Sequence, residues 1–228
     1  MTKLILDTSQ DLAIVALSNG STLIDSCVYP HQNKLSALLT LSIQSLLKKH
    51  HLSPHQLSSI AVGIGPGSYT GTRVAVTIAK TLSLALDIPL ISFCSLLAFI
   101  PEKHTGLFYY LMESKQSSPF YLKANAQNDR YEDIVCGHLK NLLCENEKNP
   151  FFASNVSLFY KSHPALQILN IQQGSTNLSR LCQHLHKTSQ DNTYFPKDLG
   201  NLELIYLHNM DISPVAIEAI PSLQNTKI

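Results

Sequence analysis

The chain has 228 residues, of which 44% are apolar and only 14% charged, with 17 Lys plus Arg against 16 Asp plus Glu. A formal charge of +1 excludes the broad basic footprint of an autonomous nucleic-acid binder, and no apolar run reaches the ~18 residues of a membrane-crossing helix. So weakly charged a surface repels little and favours association with other chains.

Lys3, Leu4, Ile5, Leu6 and Asp7 read as a short buried strand, and the Asp7 carboxylate interrupts any signal-peptide apolar region. Leu12 to Leu17 is a second apolar run. Asn19-Gly20 follows as a hairpin turn whose central positions favour positive φ, and Leu23 to Tyr29 supplies the return strand. Asn33 to His50 has helical spacing, with Leu35, Leu38, Leu39, Ile43, Leu46 and Leu47 on one stripe. Lys48, Lys49 and His50 fall in its last turn, where cations suit the helix dipole. Leu41 lies off the stripe and asks for a second neighbour.

Ser59 to Gly65 alternates as a strand, a glycine-rich turn follows, and a helix runs from about Gly71 to Leu86. That helix is apolar nearly all round, with Val74, Ile78, Leu82 and Ala85 on one side and Val76 and Leu84 on another. A helix with so little polar surface is sandwiched between layers or between subunits. Asp87-Ile88-Pro89 ends it, Leu90 to Phe93 is a brief strand, and Ser95 to Ile100 is a short helix.

Beyond Pro101 the patterning weakens. It predicts strands at Gly106 to Met112 and Pro119 to Ala124, a helix at Gly137 to Cys144 and a strand at Val156 to Tyr160. A helix at Leu178 to His186, a polar loop at Asn192 to Gly200, a last strand at Leu204 to Leu207 and a loose tail complete the chain. The composition shift near 101–106 divides it into two domains, 1–100 and 101–228. Cys27, Cys94, Cys136, Cys144 and Cys182 are odd in number and form no Cys-x-x-Cys pair, which fits a reduced interior with buried thiols.

Two places carry candidate chemistry. Gly63, Gly65, Gly67 and Gly71 crowd the turn between a predicted strand and a predicted helix. Free N–H groups at such a turn suit an anion, and Ser68 and Thr70 add hydroxyls. The same residues equally make a tight turn capped by Ser68 or Thr70, with Gly71 permitting close helix packing. No Gly-Lys-Ser/Thr follows, so the turn is not a Walker motif. Asp7-Thr8-Ser9 is the second place: a carboxylate at a strand end beside two hydroxyls can hold a metal-bound water near a phosphate, or simply end the strand. Arg73 is read as a surface or locally paired side chain, and Tyr69 as a packed ring.

The segment Ile5-Leu6-Asp7-Thr8-Ser9, His31 before a long helix, and Gly65-Pro66-Gly67-Ser68-Tyr69-Thr70-Gly71-Thr72-Arg73 together resemble the TsaB (YeaZ) family. Ala79-Lys80, Ile88-Pro89-Leu90-Ile91 and Ser95-Leu96 continue the resemblance over residues 1–100. The resemblance implies an α/β, actin/Hsp70-like, sugar-kinase-type fold of two ribonuclease-H-like lobes, each on a mixed five-stranded sheet. It implies a non-catalytic scaffold or activating subunit of the tRNA threonylcarbamoyladenosine pathway. Such a subunit pairs with the catalytic TsaD through two helices of the first lobe, and the ATPase TsaE joins them. The assembly transfers threonylcarbamoyl from its adenylate to the adenosine next to the anticodon. This chain then needs no cofactor, ATP and metal belong to the partner subunits, tRNA is met only through the complex, and the setting is cytoplasmic, with no membrane. The implied interface is Leu35, Leu38, Leu39, Leu41, Ile43, Leu46, Val76, Lys80 and Leu84, and the same helix pair favours a homodimer at high concentration. A remnant phosphate or nucleotide site falls on Asp7, Thr8, Ser9, Gly65, Gly67, Ser68, Thr70 and Gly71.

The chain departs from the family's usual residues at three places. Gln32-Asn33 follow His31 instead of Ser-Glu, Glu113-Ser114-Lys115 replace an Asp-Ala-Arg-like strand end, and Tyr206-Leu207-His208 replace Tyr-Leu-Arg. No catalytic or metal-binding residue is assigned. The catalytic relatives hold metal with His-x-x-x-His, but four residues after His31 stands Leu35, and one imidazole with one isobutyl group does not hold a divalent ion. That disfavours a metallopeptidase, and His50-His51 and His184-x-His186 read as solvated helix positions. The alternative function is a stand-alone ATP-dependent kinase or nucleotide hydrolase of the same fold, with Asp7 and the glycine turn flanking the phosphates.

Overall fold

A computed structural model describes residues 1–30, 35–100, 105–112, 120–127, 130–138, 151–153, 168–170, 176–187, 193–205 and 215–216. The chain divides into two units. The first comprises Met1–Leu97 and the segment that returns from Leu178 to Tyr206, and the second comprises Ala98–Asn177 and Leu207–Pro221. The expected second domain over 101–228 is not continuous, because Leu178–Tyr206 belongs to the first unit. The amphipathic helix after Leu178 buries its apolar face on the first unit instead.

In the first unit β1 (Thr2–Asp7) pairs antiparallel with β2 (Leu12–Asn19), and β2 antiparallel with β3 (Thr22–Pro30). On its other side β1 runs parallel to β4 (Leu57–Gly63), and β4 parallel to β5 (Leu90–Phe93). Thr193–Tyr194 adds a two-residue edge beside β5. Leu4, Ile5 and Leu6 are fully buried, the unbroken apolar run of a strand covered on both faces. Asn19 pairs with Thr22, so the hairpin turn is Gly20-Ser21, one residue later than expected. Gly20 supplies the positive φ (58°) at the first turn position.

Helix α1 (Leu35–Lys49) buries Leu39, Ile43, Leu46 and Leu47 and leaves Leu41 57% exposed. Helix α2 (Tyr69–Leu86) buries Gly71, Thr72, Ala75, Val76, Ala79 and Ser83. These small side chains at three- and four-residue spacing let the helix lie close on the sheet. The larger Val74, Ile78 and Leu82 are only half-buried, and Leu84 is 64% exposed. Asp87 closes the helix in the left-handed conformation, its N–H bonding to the Ser83 carbonyl. Helix α3 (Leu178–Lys187) packs against β3. Its His184 is buried, not solvated as expected, because it lies with Leu181 and Leu185 on the inward face. From β1, Lys3 Nζ reaches up to donate to the Leu185 carbonyl at 3.0 Å.

The second unit repeats the same connectivity. β6 (Gly106–Met112), β7 (Phe120–Gln127) and β8 (Arg130–His138) form an antiparallel meander. β9 (Phe151–Ala153) runs parallel to β6, and β10 (Ile168–Asn170) parallel to β9. Val215–Ala216 adds a short edge beside β8. Each unit is thus a mixed five-stranded sheet with one short extra edge strand. Aromatic rings fill the second core: Tyr109 stacks on Phe151 at 4.7 Å, and Phe108 meets Phe152 edge-on at 6.2 Å.

Several expectations for the second half are corrected. Gly137 and His138 end a strand rather than begin a helix, and the rest of that predicted helix lies outside the described residues. The expected polar loop at 192–200 contains the Thr193–Tyr194 strand and a 3-10 turn from Pro196 to Asn201. Leu204 and Ile205 are not a strand, though the Ile205 N–H bonds to the Ile64 carbonyl at 2.8 Å. The predicted strand at 156–160 lies outside the described residues, as do residues 31–33, 113–115 and 206–208 and Cys144. Cys94, Cys136 and Cys182 are buried free thiols, and Cys27 is a half-buried one.

Candidate functional site

The end of β1, the turn after β4 and Ser95, two residues beyond β5, converge because β1, β4 and β5 run parallel and finish at the same end of the sheet. Asp7, Thr8 and Ser9 there are all buried. The Ser9 N–H donates to Asp7 Oδ1 at 2.7 Å. Asp7 Oδ2 has no hydrogen-bond partner and rests against Gly63, where any Cβ would collide with it and with the Ser95 hydroxyl. Burial pushes the Asp7 carboxyl above the ordinary carboxylate range. The Ser9 and Thr8 N–H groups and the nearby Ser9 and Ser95 hydroxyls oppose that rise, although neither hydroxyl meets Oδ2 in hydrogen-bond geometry.

The glycine turn is tied into its own surroundings. The Gly65 N–H donates to Ser95 Oγ at 3.0 Å, and the Ser95 N–H returns a bond to the Gly65 carbonyl at 2.8 Å. The Ser68 N–H donates to the Ser9 carbonyl, and Gln10 Nε2 to the Pro66 carbonyl at 2.6 Å. Gly65 takes a positive φ of 99° with the Ile205 carbonyl against it, a position that rejects a side chain. Gly67 lies directly on the Ser9 carbonyl, again leaving no room for a Cβ. Ser68 caps α2, its hydroxyl accepting the Gly71 N–H at 3.1 Å. The Gly71 carbonyl in turn accepts the Thr8 hydroxyl at 2.6 Å.

Every residue of the expected phosphate site is therefore brought together except Thr70, which is exposed on the first turn of α2. The N–H groups of Gly65, Ser68, Gly71 and Thr72 are taken up inside the chain. This arrangement does not fit a nucleotide phosphate or its metal: the carboxylate is sealed and the donors are engaged. Of the two sequence readings of the turn, the capped tight turn describes this geometry. Gln10 was not singled out from the sequence, and Ser95 only as part of the resemblance, not as a site residue. For Ser95 the signal was its place two residues beyond the third parallel strand.

The second candidate surface is the helix pair. Leu39, Ile43, Leu46 and Val76, expected at a partner interface, are buried in the chain's own core. Their i, i+4, i+7 spacing faces the sheet. Leu41 and Leu84 are open, while Leu35, Leu38 and Lys80 are half-exposed. Tyr69 is 50% exposed rather than packed, and the Arg73 guanidinium lies 3.8 Å over its ring. At the far end of α1, Asp25 of β3 binds Lys49 and His50, both at 2.7 Å. These two contacts hold the Asp25 carboxyl far below the usual range.

The family model described as "TsaD: tRNA N6-adenosine threonylcarbamoyltransferase" matches residues 30–109. The tRNA threonylcarbamoyladenosine biosynthesis protein TsaB of Bacillus subtilis (strain 168) is 34% identical over 137 residues, 59% of this chain and 60% of that one. The protein of the same name from Escherichia coli (strain K12) is 30% identical over 97 residues, 41% of this chain and 40% of that one. This chain thus spans 40–60% of the length of those two relatives. A solved structure, YeaZ from Pseudomonas aeruginosa, shares the fold at a TM-score of 0.73 and 17% identity, covering 90% of this chain and 99% of that one.

Proposed function

We propose that this chain, which belongs to the TsaB (YeaZ) family, is a non-catalytic supporting subunit in the biosynthesis of threonylcarbamoyladenosine in tRNA. It works beside a TsaD-type catalytic subunit, which transfers threonylcarbamoyl to the adenosine next to the anticodon, and a TsaE-type ATPase. It needs no cofactor of its own, meets tRNA through the complex, and acts in the cytoplasm. Among the described residues no helix is long and apolar enough to cross a membrane.

The observation that carries the non-catalytic reading is the sealed Asp7. A phosphate-transfer site needs a carboxylate open to metal or water, and here Gly63 closes over Oδ2. What remains open is the outer face of α1 and α2, with Leu41 exposed on the first helix and Tyr69 and Leu84 on the second. A partner that covers this face completes the burial that the chain leaves unfinished.

The test is a tRNA-modification assay reconstituted from the TsaD-type and TsaE-type subunits of the same organism, with and without this chain. Activity is expected only with it, and Leu84→Asp is expected to abolish both the effect and co-purification with the TsaD-type subunit. Undiminished activity in the absence of the chain would overturn the proposal. Calorimetry with ATP and magnesium addresses the kinase alternative: no heat of binding is expected, whereas binding lost on Asp7→Asn would support a nucleotide enzyme.

A further inference from the structure

We propose that Asn19 is a modification site, its side-chain amide converted to a carboxylate by attack of the Gly20 nitrogen with the help of the Met1 ammonium and the His186 imidazole. The proposal stands apart from the partner-binding role and concerns chemistry within this chain. Asn19-Gly20 is the single Asn-Gly pair in the sequence. Asparagine is a thermally labile residue, and glycine after it carries no Cβ to shield the attacking nitrogen.

Three elements bring the reacting groups together. Asn19 ends β2, is exposed, and pairs with Thr2 of β1 and Thr22 of β3. The Met1 ammonium donates to Asn19 Oδ1 at 2.7 Å. It draws electrons from the amide carbon and faces the oxygen on which negative charge develops during attack. Helix α3 ends beside the turn. A side-chain carbon at Gly20 would meet the His186 ring, with Cε1 at 3.7 Å and Nδ1 at 3.9 Å. An imidazole so placed serves as a base for the Gly20 N–H proton. That N–H donates to the Met1 carbonyl at 3.2 Å, the long end of the hydrogen-bond range, and this is the bond that opens first.

The reaction balances with water as its one co-reactant. The imidazole takes the Gly20 N–H proton and the nitrogen bonds to Asn19 Cγ. The Cγ–Nδ2 bond breaks, and ammonia leaves with the proton that the imidazole returns. Water then opens the five-membered imide at either of its two C–N bonds. Breaking the new Cγ–N bond gives aspartate, and breaking the original peptide bond gives isoaspartate. The aspartate form sets its carboxylate against the Met1 ammonium. The isoaspartate form adds a methylene to the main chain where Asn19 meets both Thr2 and Thr22, and disturbs the register of both ladders at that end.

The test keeps the purified full chain at neutral pH and physiological temperature, follows Asn19 by peptide mass mapping and counts isoaspartate by enzymatic methylation. Conversion is expected at Asn19 ahead of every other asparagine. N-terminal acetylation, which removes the ammonium charge, and His186→Gln, which removes the imidazole, are each expected to slow it several-fold. In concentrated urea all three samples are expected to convert alike, because unfolding separates the groups. Thermal melts check that both altered chains are folded. Should His186→Gln fail to fold, acetylation leaves the sequence unchanged and still tests the assistance. A folded chain in which Asn19 stays intact overturns the proposal, as does an unaltered rate in either folded variant.

Discussion

Burial of the Asp7 carboxyl against Gly63 raises its pKa, so the folded chain holds that proton more tightly than the unfolded chain does. The resulting stability is fully present below the ordinary Asp value of about 3.9 and is lost as pH rises through the folded value. Asp7→Asn removes the titration. Urea melts across the acidic and neutral range should therefore show a flatter pH profile for the variant, with stability at neutral pH equal to or above that of the parent. A large loss at neutral pH would mean instead that the ionised carboxylate is needed. Gly63→Ala drives a methyl group into the same carboxyl and the Ser95 hydroxyl, both fixed by burial. An overpacking cost of about 1–3 kcal/mol is expected in the same melts.

At the scale of elements, one helix can be read through two leucines. Leu39→Ala should cost about 2–5 kcal/mol of stability because its side chain is fully enclosed. Leu41→Asp should change stability by no more than about 0.5 kcal/mol because that side chain is exposed, while weakening the pairing proposed above. Denaturant melts separate the two. The spacing of Leu35, Leu39, Ile43 and Leu46 was legible as a helix, and Leu41 as its odd member. Spacing alone did not say which side the chain keeps for itself. On α2 the spacing showed apolar residues nearly all round and named no inner side; Ala75, Val76, Ala79 and Ser83 take it, because a helix laid close on a sheet has room mainly for small side chains. Ser68 was legible as a cap because a hydroxyl before a helix has one obvious use. The engagement of Gly65 with Ser95 was not, since it depends on β5 lying beside β4. In the second unit, β8 was missed because Arg130 to Glu132 break the apolar alternation.

At the scale of the whole chain, the composition shift near residues 101–106 gave no sign that α3 returns to the first unit. Its helical pattern was plain, but nothing local says on which sheet it packs. The consequence can be tested: a fragment of residues 1–100 lacks the helix that covers β3 and accepts the Lys3 ammonium. It is expected to melt without a cooperative transition and to bind hydrophobic dyes, whereas a sharp, dye-free melt would show that the first unit stands alone.

That return also sets an order of events during synthesis. A ribosome delivers the sheet β1 to β5 early, but the helix that closes its other side emerges only after every strand from β6 to β10 has been made. At ordinary elongation rates of ~5–20 residues per second the nascent sheet waits for several seconds or more with an uncovered apolar face. The growing polypeptide is therefore a natural client for chaperones, and a translation pause before Leu178 would lengthen that exposure.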